Sequence, residues 1–386
     1  TTRYRLLEPL RQFAEDRLTH RGEGPQIRTR HLQHYTQWAE AWNADVWGPG
    51  THLLERLDNE FANVRSAIDW AINTNDTDHA LRSVAAMGTA QLGWLRMEVS
   101  DWEFRCLELD GVDDHPLAPR VATGLANAFW WKGDLVLYAA YLDRAEAMST
   151  VDLQSLSPTS QRAVYTSHVL GDQHAAMALF DRIEPTNAGE RTLLTFARVQ
   201  MVASVDHTIG EALEQLQHDA TSTGSSIVSI IDRGSHSSWH LARLEFDIAL
   251  DHARNAVETA LEIGAIFFYH LYLFSLGLAA AAADSVTPRD LELMRNGLSA
   301  QRNAGVETDQ WLLLIAAAAS LQDAGLAERI HQGLHASPWA NSSTATVLPL
   351  YFPVLANVAP PLEEHQVLDD LVNDVIAAID SKQSEE

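Results

Sequence analysis

The chain has 386 residues, 46% of them hydrophobic, and a net charge of −25. That length exceeds the usual single core, so two domains or one elongated repeat array are expected, and the apolar content excludes global disorder. The charge repels phosphate backbones and argues against nucleic-acid binding by most of the chain, while a single cysteine, Cys106, excludes an internal disulfide framework and a multi-cysteine zinc site.

The charge is uneven. Residues 1–30 hold seven arginines against four acids, so the other 356 residues carry −28, and a basic N-terminal piece joins an acidic body. Lysine is almost absent, at positions 132 and 382 only. No apolar run approaches the roughly 18 residues that span a bilayer. The longest, Trp311 to Leu321, is short and alanine-rich and reads as a buried helix. The N-terminus lacks the apolar stretch of a signal peptide and does not begin with Met, which predicts a fragment or processed product in the cytoplasm.

Taken in order, Arg3 to Leu7 alternates and reads as a short strand. Glu8-Pro9 opens a helix whose apolar stripe is Leu10, Phe13, Ala14 and Leu18. From Ile27 onward only helices are expected. One carries Leu32, Tyr35, Trp38, Ala39 and Trp42 on its apolar face and stops at Gly48 to Gly50. The next contains LDNEFANVRSAIDWAI, with Leu57, Phe61, Val64, Ile68 and Ile72 at helical spacing. Asn73 to Asp78 ends it and caps its successor. Ser157-Pro158 and Thr287-Pro288 each place a capping hydroxyl before a first-turn proline, and Asp290 adds an acid where the helix dipole favours one. Asn303 to Gly305 closes the helix that Thr287 opens. Thr221 to Ser226 reads as a flexible connector, and Ile266 to Phe274, apolar all round, as core.

The body repeats itself. Around Gly133-Asp134, Ala126 and Phe129 precede the turn while Leu142 and Ala145 follow it. A small residue lets two helices approach and the glycine supplies a left-handed turn. Gly171-Asp172 begins a second match with Ala176 and Phe180, and Val164 takes the small-residue place. Gly325 begins a third, with Ala318 and Leu321 before it and Ile330 and Leu334 after. The stretch from Leu241 to Ala265 reads as another pair with a degenerate turn. This pattern resembles the tetratricopeptide repeat, although the step from Gly133 to Gly171 is 38 residues and the usual period is about 34. The expectation is an all-α, irregular tetratricopeptide-like helical solenoid, a superhelix of antiparallel helix pairs.

No phosphate-binding loop, no His-Glu-x-x-His pair and no buried pair of carboxylates is evident, so no catalytic residue, metal ligand or cofactor site is expected. His236 and His240, four apart, and His31 and His34, three apart, lack further ligands. Cys106 lies on an amphipathic helix and reads as a packing residue. In tetratricopeptide arrays, fixed positions on the first helix of each pair line the concave groove. Here they are Arg120, Thr123, Asn127, Trp130 and Trp131, followed by Gln161, Tyr165 and His168 in the second unit. These suit a peptide, protein or small-molecule ligand; packing against neighbouring repeats is the competing reading. Adjacent Trp130 and Trp131 cannot both face one side of a helix.

Two stretches carry a family resemblance. Arg3 to Leu18 resembles the end of the winged helix that follows the nucleotide-binding domain in bacterial NB-ARC (STAND) ATPase regulators. LDNEFANVRSAIDWAI resembles the signature after it, through Leu57, Glu60, Asn63, Arg65, Ala67 and Trp70. The resemblance implies a multidomain transcription regulator of the AfsR-like or LuxR-type group, some members of which carry a class III cyclase domain. It divides the chain into the end of a winged helix (1–26), a connector bearing the signature (27–110) and repeats (111–386). It also implies that Glu60, Asn63 and Arg65 make structural polar contacts or dock the arm on its own upstream nucleotide-binding domain. Two functions stand open: a non-catalytic sensor arm that binds a partner or inducer, and a plain scaffold that binds an extended peptide.

Overall fold

The computed structural model describes residues 8–148, 157–203, 205–339 and 368–385. The strand expected at Arg3 to Leu7 lies outside them. Among the described residues there are 18 α-helices, one 3-10 turn and no strand. They run α1 (Glu8–Arg21), α2 (Gly24–Val46), α3 (Leu53–Asn73), α4 (Thr77–Trp94), α5 (Glu98–Cys106), α6 (Ala118–Trp131), α7 (Leu135–Met148), α8 (Pro158–His168) and α9 (Gln173–Phe180). They continue α10 (Ala188–Val202), α11 (Ile209–Thr223), α12 (Ser226–Ala242), α13 (Phe246–Glu262), α14 (Ile266–Ala282), α15 (Pro288–Ala304), α16 (Glu307–Leu321), α17 (Ala324–His335) and α18 (Leu368–Glu385). No helix among the described residues is long and apolar enough to cross a membrane.

One backbone device joins most of these helices. At Gly22, Asn75, Leu95, Gly133, Gly171, Leu244, Gly264, Asp284, Gly305 and Gln322 the chain turns left-handed, with φ between 50° and 73°. The next residue then returns its N–H to a carbonyl five residues back, or six at Arg96 and Asp172. This satisfies carbonyls that a helix end leaves open. Half of the ten positions are not glycine. The degenerate turn expected between Leu241 and Ala265 is Leu244-Glu245, with Leu244 taking the place that Gly133 holds. The third match is corrected by three residues: Gln322 is left-handed and Asp323 caps α17, while Gly325 lies inside that helix. Of the packing positions expected around it, Ala318, Ile330 and Leu334 are buried and Leu321 is half-buried.

Caps follow the sequence signals. Asp76, Ser157, Asp172, Asn187, Ser225 and Asp323 each accept a backbone N–H from the third residue on. Thr287 and Asp290 form a reciprocal capping box. The stretch Thr221 to Ser226 is no loose connector. Gly224 ends α11, and Ser225 both caps α12 and donates its hydroxyl to the carbonyl of Val46, 2.7 Å away at the end of α2.

The even-numbered helices from α4 to α16 form an inner layer and their partners an outer one. Expected core helices are core: α14 buries Phe267 to His270 and Tyr272, Leu273 and Ser275 to Ala280, and α16 buries Leu313 to Ser320. Cys106 is fully buried, and burial pushes its thiol up to about 12. On α3, Leu57, Val64 and Ile68 are buried while Phe61 and Ile72 are half-buried; Phe61 packs on Trp102, 5.3 Å between rings. One stripe departs from expectation. On α1, Leu10 and Phe13 are 54% and 57% exposed; among the described residues α1 packs chiefly on α2.

Early and late helices also meet. α4 packs on α14 and α6 on α16, and Thr308 on α16 donates to the carbonyl of Trp130 on α6 at 2.7 Å. The superhelix therefore closes on itself.

Two predictions follow from these joints. Replacing exposed Gln322, whose φ is 54°, by glycine should raise stability by about 0.5–1 kcal/mol in denaturant unfolding, since a side chain disfavours this conformation. Ser225→Ala should cost about 1–3 kcal/mol, because one hydroxyl both caps a helix and holds Val46.

Candidate functional site

In place of the expected groove the helices surround a half-open chamber of about 680 Å³, within the usual range for small-molecule sites. The inner helices wall it. Leu193, Phe196, Leu241, Phe267, Leu271 and Phe274 make most of its surface apolar. One polar line crosses it: Gln200 donates to Ser238 at 3.1 Å, and the Ser238 and Ser275 hydroxyls lie 3.3 Å apart, joining α10, α12 and α14.

Of the groove residues read from the sequence, Asn127, Trp130, Trp131, Gln161 and His168 line this chamber. Arg120 and Thr123 line a smaller cavity beside it, about 40 Å³, which shares Leu92, Asn127 and Trp131 with the chamber. Tyr165 lines neither; it packs on Tyr138, 5.8 Å between rings, with the Arg162 guanidinium 5.7 Å from its own ring. Trp130 and Trp131 both reach the chamber because its wall wraps the last turn of α6. Trp130 lies against Tyr138, His168 and Trp339, and Trp131 against Phe267. Both indoles are buried. They are parts of a wall, not free platforms.

The small cavity is shaped by an absence. A side chain at Gly124 would strike the Glu103 carboxyl, so Gly124 makes room for this buried acid. Burial raises the Glu103 carboxyl well above the ordinary value, with the Gln91 amide beside it. Burial likewise lowers Arg120, with Glu190 as the charge that opposes the shift.

The charged residue of the main chamber was not legible as a site. Asp309, 5% exposed, is the third residue of α16. Its Oδ2 is buried without a hydrogen-bond partner. Burial pushes its carboxyl up to about 7, although the positive end of α16 favours the charged form. In the sequence an acid there reads only as a dipole-favoured first-turn residue. Burial lowers His168 to about 4. Among the described residues, no lysine or arginine lines the chamber.

Glu60, Asn63 and Arg65 make contacts within the chain. Glu60 Oε2 accepts from the Tyr35 hydroxyl at 3.1 Å and from the Asn63 amide at 2.7 Å, joining α2 to α3. Arg65 forms a two-pronged pair with Glu98 at the start of α5, which raises its own pKa. His236 and His240 stack with His252, at 5.1 and 5.7 Å, and turn their Nδ1 atoms toward Asp232 and Glu245. Among the described residues, no group of three or more His, Cys, Asp or Glu is placed to hold a metal ion.

No protein-family model matches the sequence. Two proteins of Mycobacterium tuberculosis and one of Mycobacterium bovis, named provisionally as HTH-type transcriptional regulators, are 30% identical over 115 residues. The match covers 28% of this chain and 13% of each relative, so the chain matches only a small part of their length. The chain is thus distantly related to transcription regulators.

The Asp309 environment predicts a pH effect. Between its ordinary value of 3.8 and about 7, the folded chain keeps a proton that the unfolded chain has released. Stability therefore falls as pH rises through that window and levels off above it. Asp309→Asn should be more stable than the natural chain at pH 8, by roughly 1–4 kcal/mol, with the difference closing near pH 4. Denaturant unfolding at pH 4, 6 and 8 measures this.

Proposed function

We propose that this chain is the non-catalytic sensor and scaffold arm of a multidomain signal-transduction ATPase that regulates transcription, and that its central chamber receives the inducer. The observation that carries the reading is the mostly apolar chamber lying between early and late helices. A ligand that touches α6 and α8 on one side and α14 and α16 on the other stabilises the closed superhelix. It thereby acts on the helices at the N-terminal end, where the signature helix and the exposed stripe of α1 lie. Such a switch works only if the ligand has different affinities for the closed and opened forms.

The distant relation to transcription regulators supports the setting. The partner of α1 to α3 in this reading is the protein's own upstream nucleotide-binding domain, the arm needs no cofactor, and the acidic body stays off both nucleic acid and membrane, in the cytoplasm. A volume of about 680 Å³ and a mostly apolar lining suit a small molecule; an extended peptide is the alternative.

Nile red, a neutral apolar dye, should bind the chain at one site. Ala197→Trp, which fills the chamber wall, should weaken that binding by about tenfold or more and shift reporter transcription in the intact regulator. Transcription and inducer response that survive both Ala197→Trp and deletion of residues 111–339 would overturn the reading.

A further inference from the structure

We propose that the chamber takes a lipophilic amine, a small molecule with an apolar body and one protonated nitrogen, with Asp309 as its counter-ion. This rests on the reading of the chamber as a small-molecule site and adds the chemistry of the occupant.

The lining is selective by what it contains and what it lacks. Its walls are largely aromatic and aliphatic, which suits an apolar body. Among the described residues its only acid is Asp309, and no arginine or lysine opposes it. Its other titratable group, His168, is held neutral by burial. An anionic ligand would meet a carboxyl group and no cation, inside a chain of net charge −25. A neutral ligand would satisfy Asp309 with an ordinary hydrogen bond at best. A protonated amine supplies a charge-assisted one and removes the cost of burying the carboxylate.

Position strengthens the pairing. Asp309 Oδ2 is buried in the chamber wall with no partner of its own. It belongs to the first turn of α16, whose backbone N–H groups favour a negative charge. The bond from Thr308 to the carbonyl of Trp130 fixes that turn against the end of α6. Trp130 and Trp131 share that end of the chamber wall. The proton balance is simple. An ammonium ion enters as Asp309 releases its proton to solvent, or a neutral amine takes that proton directly.

The test displaces Nile red from the purified chain with three ligands of one chain length: decylamine, decan-1-ol and decanoate. Decylamine should act at a concentration about tenfold lower than decan-1-ol, and decanoate should be weakest. In Asp309→Asn the advantage of the amine should vanish, while dye binding and decan-1-ol displacement stay within about twofold. Retained dye binding shows that the variant is folded, and loss of the advantage excludes the acidic surface as its source. If decan-1-ol displaces as well as decylamine, or the advantage survives Asp309→Asn, the amine proposal is wrong and the chamber reading stands. If Nile red does not bind the natural chain, both fall together.

Discussion

The left-handed turn is the constraint on which the structure depends. Ten helix junctions use it, each returning an N–H to the helix just completed. A helix end must satisfy its open carbonyls, and this turn does so with backbone groups alone. Because the backbone supplies the bonds, the side chain at the turn is free to vary. Because the bend recurs, successive pairs curl in one sense, and the inner layer ends up enclosing space. The chamber is a product of repeated local geometry.

That freedom explains what the sequence showed and what it hid. The all-α class was legible throughout, since apolar spacing and capping signals recur along the chain. Turns were legible where glycine precedes Asp, at Gly133 and Gly171. The same turn at Gln322 was missed because nearby Gly325 looked like the better candidate. The capping at Ser157, Asp76 and Thr287 was readable because one side chain carries it. Side-chain faces were harder: Trp130 and Trp131, adjacent on one helix, were expected to face different sides, yet both are walls of one chamber.

The site was half legible for a physical reason. Asn127, Trp130, Trp131, Gln161 and His168 follow from repeat geometry, which is local. Asp309 does not, because it joins them only when α16 folds back onto α6, where neighbouring Thr308 bonds the carbonyl of Trp130, 178 residues before it. Nothing in a local pattern reports a contact over that distance. Likewise, Ser225 looked like loop material because its second partner, Val46, lies 179 residues earlier in the chain. Arg65 was read as a structural polar contact or a docking residue, and it forms a two-pronged pair with Glu98 inside the chain.

Closure has a consequence for how the molecule comes apart. In an open array each unit touches only its neighbours, so the ends fray and stability grows unit by unit. Here the contact of α6 with α16, and of α4 with α14, gives interior units partners far away in sequence. Breaking that seam exposes apolar wall on both sides at once, so units from the two halves lose support together. Melting becomes a shared event. The seam also asks the chain to order many intervening residues before its contacts return anything, which makes its formation a late step in folding.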